Sequence, residues 1–201
     1  MTTSETQQPE TKSEMRKLIR ERMRACSLED RAAWSESVLS HLRQKPEWVR
    51  PGGVVTLFGG MVSEPNLLPL LPWLQEMGMR TAFFAIEGDI MTPYLIQDEQ
   101  DLVPGVLGVL EPWRNAKKRL KFEEVSVALV PGVAFSSADG TRLGRGKGHY
   151  DRALERMQDI CVRIGVCFHM QILPTVPAEG HDRRVQSIVT ENGWMSLTGR
   201  D

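Results

Sequence analysis

The chain has 201 residues and a nearly even charge balance, with 25 Lys and Arg against 26 Asp and Glu. Hydrophobic residues make up 41% and charged residues 25%, which is typical of a soluble globular protein and unlike a disordered chain. Because the formal net charge is only -1, the protein is not built to coat nucleic acid, and any anion-binding site must be assembled locally.

The first elements in chain order are a leader and two helices. We predict a disordered leader over residues 1–11, followed by a single domain over residues 12–201. From Lys12 to Ala25 the apolar residues recur at helical spacing. A second helix is expected from Ser27, with Asp30 completing a weak capping box, to about residue 43.

Strands and helices alternate in the rest of the chain. Short apolar runs predict strands at 54–58, 81–86, 92–96, 162–168 and 187–190. The run 125–135 predicts a central buried strand that ends in a turn at Pro131 and Gly132. Helices are expected at 66–78 and from about 150 to 158, with Pro69 and Pro72 either in the first turns of the former or kinking it. This order predicts an α/β fold, with a mostly parallel central sheet and helices on both faces of a single compact domain.

The cysteines and the polar start of the chain bear on its location. Cys26, Cys161 and Cys167 match no metal-binding spacing, so we predict reduced thiols, with Cys161 and Cys167 packed in the core. The first residues lack the apolar stretch of a signal peptide, and no apolar run reaches the roughly 20 residues that span a bilayer. We expect a soluble cytoplasmic protein with no membrane partner.

The segment RLGRGKGHYDR, residues 142–152, places glycine at every second position over Gly144, Gly146 and Gly148. It follows a predicted buried strand and precedes a predicted helix, which is where open α/β sheets bind ligands. Bare backbone N–H groups and a helix N-terminus both suit phosphate oxygens. The segment matches neither the Walker A loop nor G-x-G-x-x-G. A mobile surface hairpin with solvated charges remains the alternative from the residues alone.

Charged residues in and around this loop suit the same anion. Arg145 and Lys147 lie between the glycines, and Asp151 is a plausible Mg²⁺ ligand, because nucleotide magnesium is often held by one or two carboxylates. Lys12 and Arg16 are four residues apart and would project from one helix face. Taken alone, that pair is equally consistent with a solvated helix surface.

The segment LVPGVAFSSADGTRLGRGKGHYDRAL closely resembles the core motif of the 5-formyltetrahydrofolate cyclo-ligase family. The resemblance continues in KSEMR (12–16), in Glu111-Pro112, and in the C-terminal stretch 164–193. It implies an enzyme that uses ATP and Mg²⁺ to convert 5-formyltetrahydrofolate into 5,10-methenyltetrahydrofolate through a phosphorylated imidate. It also implies a small-molecule substrate, with or without a polyglutamate tail. We expect no nucleic-acid partner and a monomer.

The resemblance also implies roles for individual residues. Arg145 and Lys147 would be catalytic, stabilising the transferred phosphoryl group. Glu64 and Tyr150 would contact the folate, with Glu64 accepting hydrogen bonds from the pterin, and Asp151 and Asp182 would hold the metal. The implied ATP-binding residues are Lys12, Arg16, Arg142, Leu143, Gly144, Arg145, Gly146, Lys147, Gly148, His149 and Tyr150.

Two departures from the family pattern keep alternatives open. His149 stands where the family usually has the first tyrosine of a pair, and Pro65-Asn66 alters the turn after Glu64. A related enzyme using the same ATP chemistry on another N-formyl or amide substrate is one alternative. A non-catalytic folate- or nucleotide-binding protein is the other. Met61, Met91 and Trp113 are candidates for the walls of the folate pocket, but core packing is the role that we expect for each.

Overall fold

The computed structural model describes residues 11–59, 61–105, 108–178 and 183–197. Its helices are α1 (Lys12–Arg24), α2 (Leu28–Gln44), α3 (Leu71–Glu76) and α4 (His149–Arg156). Its strands are β1 (Val54–Leu57), β2 (Arg80–Glu87), β3 (Ile90–Ile96), β4 (Leu102–Pro104), β5 (Leu110–Pro112), β6 (Val125–Val130), β7 (Ala134–Ser136), β8 (Arg142–Leu143), β9 (Val162–Val166), β10 (Ile172–Leu173), β11 (Ser187–Thr190) and β12 (Gly193–Ser196). The predicted leader, apart from residue 11, lies outside the described residues.

A seven-stranded sheet in the order β12-β11-β9-β6-β1-β2-β3 forms the centre of the molecule. Its five inner strands are parallel, and β3 and β12 pair antiparallel at the two edges. A three-stranded sheet β10-β7-β8 and a hairpin β4-β5 stand beside it. The predicted α/β fold with a mostly parallel sheet is confirmed.

Buried apolar side chains attach helices to both faces of the large sheet. On one face, α2 and α3 pack against a cluster that includes Leu57 and Ile164 of the sheet. On the other face, Leu154 of α4 packs with Val130 and Ile188. Among the described residues, no helix is both long and apolar enough to cross a bilayer.

The helix ends follow the capping signals in the sequence. Ser27 and Asp30 form the predicted capping box of α2. Thr11 and Glu14 form another at the start of α1, so residue 11 is the N-cap of that helix. Because proline has no N–H to donate and disturbs the preceding turn, the helix expected over 66–78 is a short 3-10 turn followed by the six residues of α3.

The strand order reverses between β1 and β6. From β1 the chain moves outward to β2, whereas from β6 it moves the opposite way, to β9 and β11. The loops that follow β1 and β6 therefore diverge and leave a crevice at the carboxyl ends of these strands, which is where ligands bind in open α/β sheets. The segment 125–135 forms a strand that ends at Val130, and the turn predicted at Pro131 and Gly132 follows it and leads to β7.

Candidate active site

Two adjoining cavities open at this crevice. One, of about 380 Å³, is lined mainly by apolar side chains and is called the apolar cavity below. The other, of about 370 Å³, is lined by Arg16, Arg20, Arg24, Arg31 and Arg145 and is called the arginine cavity. Gly132, Val133 and Arg145 line both cavities, so they form the boundary between the two.

The apolar cavity is assembled from segments that are far apart in the sequence. The ends of β1, β2 and β3 and the tip of the β4-β5 hairpin supply its apolar walls: Leu57, Phe58, Phe83, Phe84, Ile86, Met91, Val109 and Leu110. Charged and polar side chains, including Glu64 and Tyr150, border one side. A flat, largely apolar molecule with a few polar groups fits such a lining.

Helix α1 supplies three of the arginines of the other cavity. Arg16, Arg20 and Arg24 are spaced by four residues and therefore share one helix face. Arg31 of α2 joins them, donating to the backbone carbonyl of Cys26 at 2.9 Å. The sequence analysis singled out Lys12 and Arg16 but missed Arg20 and Arg24, although the same four-residue spacing continues to both. Lys12 is not among the residues that line either cavity.

The glycine loop 144–148 lies between the two cavities and is attached to α1. Arg16 donates from Nε to the carbonyl of Gly144 at 2.8 Å. Gly146 and Gly148 have φ values of +99° and +67°, which L side chains rarely adopt. Gly148 is also the N-cap of α4, so the loop leads directly into a helix N-terminus. The structure thus brings the predicted N-terminal cation and the glycine loop together.

Arg142 and Asp151 form a nearly buried ion pair behind the loop. Nη2 of Arg142 lies 2.5 Å from Oδ1 of Asp151, and the two side chains are only 5% and 16% exposed. Nη1 of Arg142 donates to the carbonyl of Pro131 at 3.3 Å. A magnesium ion bound by Asp151 would have to take its other carboxylate oxygen.

The metal prediction extends beyond the part of the chain that the structure describes. Asp182, the second predicted metal residue, lies outside the described residues. Within the described ranges, no group of three or more His, Cys, Asp or Glu side chains could hold a metal ion. Asp151 alone remains compatible with nucleotide-borne magnesium, because phosphate oxygens and water complete the coordination shell of that ion.

Glu64 and Arg145 meet at the boundary of the two cavities. Nη2 of Arg145 lies 2.9 Å from Oε1 of Glu64 and 3.0 Å from Oγ of Ser63. The Glu64 side chain is 8% exposed, whereas that of Arg145 is 46% exposed. Burial raises the pKa of the Glu64 carboxyl, and this outweighs the opposing effects of Arg145 and Arg142. A predicted substrate residue and a predicted catalytic residue are therefore paired with each other.

Tyr150 and His149 begin α4 and line the apolar cavity. The Tyr150 ring packs edge-on against Phe84 at 5.8 Å, and Arg142 lies over it at 5.5 Å. Burial strongly raises the pKa of the Tyr150 phenol, so this group stays neutral. The Nδ1 atom of His149 is buried and has no hydrogen-bond partner among the described residues.

Several other predictions can be compared directly with the structure. Met61 and Met91 line the apolar cavity, and Met91 is also buried in a core cluster, the role expected for it. Trp113 is 66% exposed, so the core role considered for it is wrong, and it does not line the cavity. The three cysteines are free thiols, and Cys161 and Cys167 are buried in the core, as predicted.

The arginine cavity and the apolar cavity lie side by side where the strand order of the parallel sheet reverses, and the glycine loop lies between them. This arrangement fits an α/β enzyme that brings an anionic ligand next to a flat, apolar ligand. Comparison with known proteins narrows this class. The profile of the 5-formyltetrahydrofolate cyclo-ligase family matches residues 8–191. The chain belongs to that family.

Individual relatives support the assignment over most of the chain. The chain is 30% identical over 186 residues to 5-formyltetrahydrofolate cyclo-ligase of Mycolicibacterium smegmatis, covering 80% of this chain and 94% of that protein. It is 27% identical over 179 residues to the Escherichia coli protein of the same name, covering 86% and 96%. The solution structure of Aquifex aeolicus 5,10-methenyltetrahydrofolate synthetase superposes with a TM-score of 0.79 at 32% identity, covering 94% and 95%.

Proposed function

We propose that the protein converts 5-formyltetrahydrofolate into 5,10-methenyltetrahydrofolate, using ATP and Mg²⁺ and releasing ADP and phosphate. The observation that carries the proposal is the pair of adjoining cavities, one apolar and one rich in arginine, that meet at Arg145 beside the glycine loop. The family membership and the names of the relatives agree with this reaction.

The apolar cavity is the proposed folate site. Its aromatic and aliphatic walls suit the flat pterin and benzoyl rings, whose burial supplies most of the affinity. Glu64 lies on the polar side of this cavity and is the acceptor that we assign to the pterin N–H groups. Tyr150 borders the same space and would contact the substrate through its ring or hydroxyl.

The arginine cavity and the glycine loop form the proposed ATP site. Arg16 holds the loop through Gly144, and the loop backbone leads into the N-terminus of α4, where unpaired N–H groups favour phosphate. Arg20 and Arg24 extend the cationic lining away from the loop. Of the other predicted ATP residues, Arg142, His149 and Tyr150 line the apolar cavity beside this loop, whereas Lys12 and Leu143 line neither cavity.

The proposed chemistry begins with attack of the formyl oxygen on the γ-phosphate of ATP. This step forms a phosphorylated imidate and ADP. Amide oxygen is a poor leaving group, and phosphorylation makes its departure possible. N10 of the folate then attacks the activated carbon, and phosphate leaves as the ring closes.

The contribution of the protein to this reaction is alignment and charge stabilisation. Arg145 lines both cavities and would lie at the meeting point of formyl oxygen and γ-phosphate, where it offsets the charge on the transferred phosphoryl oxygens. Lys147 supplies a second positive charge from the loop. Asp151 would hold magnesium, with Asp182 as the predicted second ligand; the ion neutralises part of the phosphate charge.

Two properties remain predictions of the proposal. Free cysteines throughout are compatible with the reducing cytoplasm, which is the location that we propose. The monomeric state expected from the sequence is the second of these predictions.

The decisive experiment follows methenyl absorbance in purified protein with 5-formyltetrahydrofolate, magnesium and ATP, and quantifies ADP in the same samples. We expect the chromophore and ADP to appear in equal amounts and neither to form without ATP. Tight folate binding with no ADP release would instead identify a non-catalytic binding protein.

A second candidate is the same ATP chemistry on another N-formyl or amide compound. His149 stands where the family usually has a tyrosine, and its buried Nδ1 atom has no hydrogen-bond partner among the described residues. This observation favours a substrate other than 5-formyltetrahydrofolate. ADP release driven by such a compound, with no turnover of 5-formyltetrahydrofolate, would select this candidate.

A further inference from the structure

The Glu111-Pro112 pair belongs to the sequence pattern but has no role in the site described above. Glu111 lies in β5 and is 3% exposed. Burying a carboxylate is unfavourable unless its charge and its hydrogen bonds are satisfied. The position of this one therefore needs a physical reason.

That reason lies in the shortness of β1. Strand β1 pairs with β2 only as far as Leu57 opposite Phe83, and the chain then leaves the sheet. Three residues further along β2, the peptide groups of Ile86 are bonded by side chains. The Ile86 N–H donates to Oε2 of Glu111 at 3.2 Å, and Nη2 of Arg114 donates to the Ile86 carbonyl at 2.7 Å.

Arg114 also closes the arrangement from outside. The same Nη2 atom lies 3.2 Å from Oε2 of Glu111, so one guanidinium joins the carboxylate and the Ile86 carbonyl. The Arg114 side chain is 51% exposed, whereas that of Glu111 is 4% exposed. The Glu111 carboxylate is thus neutralised by the Arg114 guanidinium on the exposed side and hydrogen-bonded by the Ile86 N–H on the buried side.

The Glu111 side chain also fixes the β4-β5 hairpin. A Cβ atom on Gly105 would lie 2.3 to 2.4 Å from the Glu111 side chain, so only glycine allows this approach. Gly105 in turn donates to the carbonyl of Val109 at 2.8 Å, and Leu110 donates to the carbonyl of Gly59 at 3.2 Å. The hairpin is therefore joined to β2 through the Glu111 carboxylate and to the loop after β1 through the Leu110 backbone.

Three residues held by these bonds form one wall of the apolar cavity: Ile86, Val109 and Leu110. We propose that Glu111 is a positioning residue for the folate: it sets the distance of this wall from the opposite side of the apolar cavity and does not touch the substrate. The proposal rests on the function proposed above. A hydrophobic residue could fill the same space, but it could not bond the Ile86 N–H.

The test compares Glu111→Ala and Glu111→Gln in the full-length protein. We expect Glu111→Ala to raise the KM for 5-formyltetrahydrofolate about tenfold, with the KM for ATP and the kcat at saturating folate changed less than about twofold. Glu111→Gln should recover part of the loss, because its amide oxygen can still accept from Ile86. Equal effects on both KM values, or no effect on the folate KM, would overturn the proposal.

A control at the other end of β2 separates positioning from general destabilisation. Glu124 forms an exposed ion pair with Arg80 at 4.0 Å, far from the hairpin contacts, and Glu124→Gln should leave both KM values unchanged. If Glu111→Ala does not fold, Arg114→Ala replaces it. We then expect a smaller rise, about threefold, in the folate KM alone; an unchanged folate KM would contradict the proposal.

Hydrogen exchange provides a readout that does not depend on the reaction. In the Glu111 variants, the amides of Ile86 and Leu110 should exchange faster than in the wild type, whereas the β1-β6 ladder should not change. If the wild-type protein turned over no 5-formyltetrahydrofolate, the proposed function would fail. Faster exchange at Ile86 and Leu110 would still support the positioning role, and unchanged exchange would refute it.

Discussion

The arginine cavity and the apolar cavity are of nearly equal size but are built in opposite ways. The first takes Arg16, Arg20 and Arg24 from a single helix, where spacing alone aligns them. The second takes its walls from the ends of three strands and a hairpin that are joined only by the fold. The charge that α1 brings to the first cavity is thus set by local spacing, whereas the shape of the second depends on tertiary structure, so the two cavities should respond differently to substitution.

The largest expected effect concerns Lys147, a positive charge of the glycine loop. Lys147→Ala should lower kcat about 100- to 1000-fold, because a preorganised charge facing the transferred phosphoryl group is lost. The folate KM should change little, since the apolar walls remain. Methenyl absorbance at saturating substrates measures this, with Lys117→Ala as the control, because Lys117 is exposed and far from both cavities. A kcat within about threefold of wild type would remove Lys147 from the catalytic group.

A smaller, selective effect should follow from neutralising the helix stripe. Replacing Arg20 and Arg24 together with Gln should raise the KM for ATP about tenfold, because each partly exposed charge contributes roughly 0.5–1 kcal/mol. The folate KM should stay the same, and the defect should shrink at high salt. Lys17→Gln on the exposed side of α1 is the matched control. An equal rise in both KM values would contradict the division of labour between the cavities.

The smallest effect is on stability and concerns the Glu64 carboxyl, which lines the apolar cavity and is paired with Arg145. Because burial raises the pKa of Glu64, the folded state keeps a proton that the unfolded state releases as pH rises. Wild-type stability should therefore fall as pH rises from the ordinary glutamate range near 4.5 through the raised pKa of Glu64. Glu64→Gln should remove this part of the slope and be more stable than wild type near neutral pH, while it binds folate more weakly.

Urea unfolding midpoints across that pH range test this prediction. The exposed Glu76→Gln is the control and should keep the wild-type slope. A Glu64→Gln profile parallel to wild type would mean that Glu64 does not carry the pH dependence.

Local signals in the sequence predicted much of the fold and part of the site. The capping box at Ser27 and Asp30, the glycine loop and the parallel strands each depend on neighbouring residues, and the structure has all of them. Arg20 and Arg24 could have been found by extending the four-residue spacing. The sequence could not show that Arg20 and Arg24 line a cavity, because this depends on how α1 packs on the core through Met15, Ile19 and Met23.

Structural features that join distant segments of the chain could not be predicted from sequence patterns. Strands β4 and β5 are three residues each, which is too short for an alternating apolar period to stand out. The pairing of Glu64 with Arg145 joins residues 81 positions apart. The Arg142-Asp151 pair is closer in sequence, but it forms only because β8 and α4 meet behind the loop.

Strand β1 is an inner strand of the central sheet, between β6 and β2, and is only four residues long. A longer β1 would add ladder hydrogen bonds with its neighbours and stabilise the fold, but its backbone would occupy the space where the crevice opens. The space available to a ligand exists because β1 ends early and leaves that part of the sheet unfilled. Substitutions or insertions that extend this strand should therefore increase the stability of the protein and at the same time prevent small molecules from binding in the crevice.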